Sequence, residues 1–189
     1  FQTQYPGIRV EATEFDFSDP SAGLASGASD VAVLRPPVPV PGHRMLVLET
    51  ETWLACLPRN HRFAERASLD IEDLLDEPII AAPESAGVWR DFWIAADSRG
   101  GRPATISGTA STYEAETTLV AMGVGISFTT SSMTRNYSRP GIRFVPIRNR
   151  PESITALVWD PRRMTREAAL LVDSVLAEND QDVADLPVA

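Results

Sequence analysis

The chain is poor in cysteine. A single thiol, Cys56, among 189 residues excludes an internal disulfide framework. Its place inside an apolar run reads as a small buried hydrophobe, not a nucleophile, and a reducing cytosol is the natural compartment. Basic charge is also short. Seventeen Lys and Arg against 26 Asp and Glu leave a formal charge of −9, which excludes a basic face for clamping a nucleic-acid backbone. No run of about 18 apolar residues is present, so no stretch is suited to cross a membrane as a helix. The only histidines, His43 and His61, stand in turn-like contexts, and no Cys/His cluster has zinc spacing. There is no Walker loop and no Gly-x-Ser-x-Gly elbow. Gly123-Val124-Gly125 is half of a dinucleotide fingerprint, but Phe128 occupies the third glycine position and the strand–helix order is reversed. It reads as a helix stop. Asn136-Tyr137-Ser138 is a formal glycosylation sequon with no meaning in a cytosolic chain. No metal, cofactor or catalytic role is expected. A starting methionine is missing too, and Phe1–Tyr5 is no signal peptide, so the chain reads as cut from something longer.

What is present is an alternation of strand and helix signals. Leu46–Pro58 is an apolar run interrupted by Glu49-Thr50-Glu51-Thr52, roughly twice an ordinary strand. It reads as two strands joined by a polar turn, as a bulged strand in one sheet, or as one strand serving two compact units. Before it, Ile8, Val10 and Ala12 alternate with polar residues as in a half-buried strand. Ser18-Asp19-Pro20 opens a short helix ending near Gly27, and Asp30–Leu34 is a short strand. Four prolines make Arg35–Gly42 an extended loop.

After it, Ser68 caps a helix over Leu69–Asp76, and Pro78–Ala82 is a strand. Val88, Phe92 and Ala96 share one helix face, with Trp89 and Trp93 packing alongside. Ala104–Gly108 and Val124–Phe128 are strands. Between them Ser111-Thr112-Tyr113-Glu114 reads as a capping box for a helix stopped by Gly123. Thr129–Ser132 caps a further short helix, Ile142–Ile147 is extended, and Ser153–Trp159 is the last strand. Met164–Glu178 is a helix with Ala168, Leu171, Val172 and Val175 inward, followed by a loose acidic tail, Asp180–Ala189. The pattern implies an α/β fold with one or two mostly parallel sheets. In such sheets ligands lie beyond the carboxyl ends of strands. Here those ends are Leu34-Arg35, Ala82–Ser85, Thr109–Thr112 and Phe128–Thr130, three of them running into Ser/Thr-rich helix starts.

Several ordered motifs carry a family resemblance. They are Phe-x-x-x-Tyr-Pro-Gly-Ile-x-Val at 1–10, Leu24-x-x-Gly with Asp30-Val-Ala-Val-Leu, and Leu57-Pro-Arg-Asn-His61-Arg-Phe-Ala64. Further along come Leu69-x-x-Glu-Asp-Leu-Leu-Asp-Glu-Pro78-Ile, Leu119-Val-Ala-Met-Gly123-Val-Gly-Ile126, Pro140-Gly-Ile-x-Phe-x-Pro146-Ile and Ala156-Leu-Val-Trp159. Together they resemble the effector-binding domain of LysR-type transcriptional regulators. Arg62 stands where the family has proline, and Ala28-Ser29 is less typical.

The resemblance implies two α/β subdomains with mixed sheets flanked by helices. The fold would be like that of type II periplasmic binding proteins, linked by two crossover strands. Subdomain I is expected over 1–49 and 152–178, subdomain II over 50–151, and a flexible tail over 179–189. Leu46–Pro58 becomes one continuous crossing strand. An effector, a small organic acid or polar metabolite, would lie in the cleft. Candidate binding residues are Arg35, Thr50, Glu51, Thr52, Pro83, Ser85, Ser111, Thr112, Phe128 and Thr129. The expected whole is a cytoplasmic homodimer or homotetramer that reaches DNA only through an N-terminal winged helix-turn-helix absent from this sequence. The first strand and most of the first helix are also expected upstream. A free-standing solute-binding protein of the same fold is the alternative.

Overall fold

The computed structural model describes residues 1–137, 139–179 and 183–186. The chain divides into two compact units, Phe1–Glu49 with Ile154–Ala189, and Thr50–Ser153.

The first unit is built on a four-stranded sheet. β1 (Val31–Leu34), β2 (Arg44–Glu51), β8 (Ser153–Trp159) and β9 (Val183–Asp185) lie in the order β1-β8-β2-β9. β1 runs antiparallel to β8 and β9 antiparallel to β2. Helix α4 (Arg166–Leu176) starts where the Thr165 hydroxyl accepts the Ala168 amide at 3.1 Å. Its Val172 packs with Leu46, Leu157 and Trp159, which fixes which face of the sheet is covered. The proline loop is extended, with Val38 and Val40 buried.

Three expectations fail in this unit. Ile8–Thr13 forms no strand, and Val10 is 44% exposed. An alternating segment becomes a strand only when a neighbouring edge takes its backbone groups, and no described strand pairs with it. Ser18–Gly27 is a series of turns, not a helix. Ala22 and Gly23 take positive φ, which stops helical propagation, and the Asp19 carboxylate instead gathers the amides of Ser21 and Gly23 at 3.1 and 3.0 Å. The tail is not wholly loose, since Val183–Asp185 adds β9 to the sheet and Leu186 is buried. Residues 180–182 and 187–189 of that expected tail lie outside the described residues, as does Ser138 of the sequon.

The second unit is centred on β3 (Trp53–Pro58). β6 (Ser127–Thr130) and β7 (Ile142–Pro146) flank it, both antiparallel. β4 (Ile79–Ala81) and β5 (Ile106–Thr109) form a parallel pair. A parallel bridge between Ile79 and Ile126 continues the sheet from β4 to β6, giving the order β5-β4-β6-β3-β7. The expectation of mostly parallel sheets is therefore corrected. The β4–β5 crossover is parallel, but both partners of β3 return against it.

Both faces of β3 are covered. Trp53, Ala55 and Leu57 join one core with Ile71, Leu74, Ile126 and Val145. Cys56 joins another with Ile80, Val120 and Ile142 beneath α2 (Tyr113–Ala121). Burial on two faces explains why β3 reads as unbroken apolar sequence. Gly123, at φ 77°, closes α2, with the Val124 amide donating to the Leu119 carbonyl at 3.1 Å. Gly125 is required for a different reason, because a Cβ there would stand 2.7 Å from the Pro78 carbonyl oxygen.

Local start and stop signals are less faithful than the strands. Leu46–Pro58 is not one strand; the ladder changes partners at Thr52, where β2 ends and β3 begins. The Ser68 helix is a single 3-10 turn, Ile71–Leu74, opened by Asp70, whose amide donates to Asp73 Oδ2 at 3.0 Å. α1 spans only Val88–Trp93. Ala95 turns left-handed at φ 53° and a separate 3-10 turn, Ala96–Arg99, follows.

Candidate functional site

In the second unit the candidate residues fall along one edge of the sheet. β4, β5 and β6 run in one direction, so their carboxyl ends lie together. Ala81 pairs with Thr109, and the Ala110 amide donates to the Ala81 carbonyl at 3.0 Å. This sets Pro83 and Ser85 beside Ser111 and Thr112. β3 runs against β6 with Trp53 opposite Thr130, which brings Thr50, Glu51 and Thr52 to the same edge as Thr129. Arg35 belongs to the first unit, directly after β1, and is half-buried.

Glu51 organises the middle of this edge. It is 1% exposed, and one carboxylate oxygen accepts the Ser132 amide at 2.9 Å. That amide lies in the first turn of α3 (Ser131–Asn136), where backbone N–H groups lack helical partners and a negative charge is favoured. The neighbouring Ser131 amide donates to the Thr52 carbonyl at 3.0 Å. Sequence reading gave α3 to its own Thr/Ser run, but no cap hydrogen bond comes from Thr130. The acceptor arrives from 81 residues away. Thr50 and Thr52, on either side of Glu51, are exposed.

The other candidates differ in what they present. Ser85 and Thr112 are exposed, while Pro83 and Ser111 are half-buried. The helix cap at α2 is Thr112, whose Oγ1 accepts the Ala115 amide at 3.2 Å. The expected capping box is one residue out of register. Glu114 does not reach back; it pairs with Arg139. Phe128 is 4% exposed and its ring lies tilted, 6.0 Å from that of Trp53, so its side chain belongs to the core. Thr129 is buried, near the Tyr113 hydroxyl.

Sequence reading missed two groups here. Arg150 lies over the Trp53 ring at 4.5 Å and donates to Asp97 at 2.6 Å and Ser98 at 2.8 Å. It clamps the aromatic cluster directly below the edge. A titratable group also stands on α2 itself, half-buried. Burial pushes the Glu116 carboxyl up to about 8, with the nearby Ser127 hydroxyl acting the other way. Burial likewise pushes the Cys56 thiol up to about 12 and the Tyr113 phenol upward. A thiol so raised is a poor nucleophile at neutral pH. The amphipathic period of α2 places Glu116 no better than any other helical glutamate, so no sequence signal marked it.

No group of three or more His, Cys, Asp or Glu among the described residues could hold a metal ion. No helix among them is long and apolar enough to cross a membrane.

A family model described as the LysR substrate binding domain matches residues 1–180, and the chain belongs to that family. A relative from Bacillus subtilis (strain 168), the HTH-type transcriptional regulator AlsR, is 30% identical over 143 residues, covering 73% of this chain and 46% of AlsR. The regulatory domain of Synechocystis PCC6803 CcmR, solved in complex with 2-PG, aligns with a TM-score of 0.74 at 16% identity, covering 95% of this chain and 87% of that one. HinK, a LysR family transcriptional regulator from Pseudomonas aeruginosa, aligns at 0.69 with 22% identity, covering 94% of this chain and 63% of that one. The fold is that of LysR regulatory domains, with mixed sheets and flanking helices. These relatives are transcriptional regulators, not enzymes. The chain spans about half the length of the curated relatives it matches.

Proposed function

We propose that this chain is the effector-sensing part of a cytoplasmic transcriptional regulator, and that the effector binds at the Glu51 edge of the second unit. Thr50, Thr52, Ser85, Ser111 and Thr112 supply hydroxyls there, with Pro83 shaping the wall. Phe128 and Thr129 act through the backbone and the packing beneath. The supporting observation is the convergence of three strand ends and the start of β3 on one edge, the position where open α/β sheets take ligands. Exposed hydroxyls around a carboxylate already committed to a helix start suit a small organic acid or polar metabolite; the CcmR regulatory domain was solved in complex with 2-PG. Residues 1–49 with 152–178, and 50–151, form the two regulatory subdomains. DNA contact belongs to a helix-turn-helix elsewhere in the polypeptide, as the name of AlsR states for that regulator. The working form is a homodimer or homotetramer.

A thermal-shift screen of the full-length regulator against metabolites tests this, because a ligand of the native state stabilises by mass action. The hit is expected to lose its shift in Thr52→Ala or Ser111→Ala while the unliganded melting point stays in place. Undiminished binding in both variants removes this edge as the site.

A further inference from the structure

Four consecutive residues are fastened to the second unit just before β8. The Ile147 amide donates to the Trp53 carbonyl at 2.9 Å, and the Arg148 amide to the Leu69 carbonyl at 3.0 Å. Asn149 Oδ1 accepts the Ile71 amide at 2.8 Å, and Nδ2 donates to Glu72 at 2.7 Å. Arg150 is the last of the series. Its side chain is 5% exposed, whereas Pro151 and Glu152 are exposed and β8 begins at Ser153.

Arg150 alone of the four enters the aromatic cluster. Its guanidinium lies 4.5 Å over Trp53 and 6.0 Å from the Phe92 ring, and Nη1 donates to Asp97 and Ser98. A cation is held most firmly over an aromatic face where water is excluded, and Trp53 is buried. The indole N–H groups of Trp53 and Trp93 are buried without a hydrogen-bond partner among the described residues, so neither ring is oriented by its own polar group. The polar contact that orients Trp53 is the flat guanidinium, which the point charge of a lysine does not reproduce. Trp53 in turn directly follows Thr52 and pairs with Thr130. Beside it the Ser131 amide meets the Thr52 carbonyl and the Ser132 amide meets the Glu51 carboxylate. A tilt of the ring therefore carries this strand start away from α3.

We propose that Arg150 is a positioning residue for the effector edge. By clamping the Trp53 ring against α1 and the Ala96–Arg99 turn, it holds Thr50–Thr52 in register with the start of α3. Its bearing on effector binding rests on that edge being the effector site. Its hold on the edge does not, and is measured without any effector.

The test is hydrogen–deuterium exchange of the full-length regulator, read at single amides by mass spectrometry with residue-level fragmentation. Ser131 and Ser132 report the edge. Ala110 and Val124, which donate to the Ala81 and Leu119 carbonyls of the same unit, report the rest. Arg150→Met is expected to speed exchange at Ser131 and Ser132 about tenfold and to leave the other two within about twofold. An equal rise at all four amides, as general loss of stability would give, overturns the proposal, and so does no rise at Ser131 and Ser132. If Arg150→Met does not fold, Arg150→Lys keeps the charge without the flat fork and is expected to show the same selectivity at about threefold; a uniform or absent rise there overturns it equally. Trp53→Phe is expected to give the selective rise too, and the double variant no more than the larger single effect, since the arginine acts through that ring. A double effect equal to the product of the single ones overturns that route. The Thr52→Ala screen tests the edge as the effector site separately.

Discussion

Two carboxylates of the second unit, Glu51 buried and Glu116 half-buried, meet different partners. At the sheet edge, Glu51 is 1% exposed and accepts a backbone amide at the start of α3. On α2 itself, burial pushes the Glu116 carboxyl up to about 8. The contrast is one of partners: a backbone amide at a helix start meets Glu51, whereas a single hydroxyl, from Ser127, faces Glu116.

The largest effect expected from breaking that contrast is at Glu51. Glu51→Ala removes the acceptor of the Ser132 amide and is expected to destabilise the domain by about 2–3 kcal/mol, read by urea denaturation. Glu51→Gln keeps an acceptor and should lose less. Equal losses would show that space-filling, not the acceptor, matters at that position.

Glu116 should respond to pH in the opposite sense from a paired acid. With its folded pKa raised above the unfolded value, the folded state holds a proton that the unfolded state has released. Stability should therefore fall as pH rises from about 4.5 to about 8, by at most about 1.4 kcal/mol per pH unit from this group. Glu116→Gln is expected to flatten that slope and to exceed the wild type in melting temperature at pH 8. A slope unchanged by the substitution would place its origin elsewhere.

Smaller effects separate the two hydroxyls at the start of α2. Thr112→Ala should cost about 1 kcal/mol, the usual value of a helix cap, whereas Ser111→Ala should lie within about 0.5 kcal/mol of wild type. Reversal of that order, measured by thermal melts, would restore the cap suggested by sequence.

The pattern of legible and illegible features follows from which interactions are local. Strands buried on both faces, such as β3 and β8, announce themselves as apolar runs. Ser153–Trp159 begins and ends where sequence reading placed it. Helix α4 was legible from the spacing of Ala168, Val172 and Val175. The cap at Thr112 was missed by one residue because Ser and Thr are adjacent and equally good acceptors. Ile8–Thr13 was misread because alternation specifies a face, not a partner. At the candidate site, the strand ends could be placed from their order along the chain. The Glu51–Ser132 hydrogen bond could not, since 81 residues separate its ends. Nor could the burial of Phe128, whose position at a strand end is equally consistent with lining a site.

Trp53 carries one further consequence. Its ring is 1% exposed, lies 4.8 and 4.9 Å from Phe92 and Trp93, and has the Arg150 guanidinium 4.5 Å over its face. An excited indole shifts electron density across its rings, so the emission energy depends on where a nearby fixed charge stands. Trp53 directly follows Thr52, and a displacement of that strand start moves the fluorophore against its charge. Trp53 is thus one of four native indole fluorophores, the one that adjoins the edge where we place the effector, and its share of the emission can be followed without any added dye.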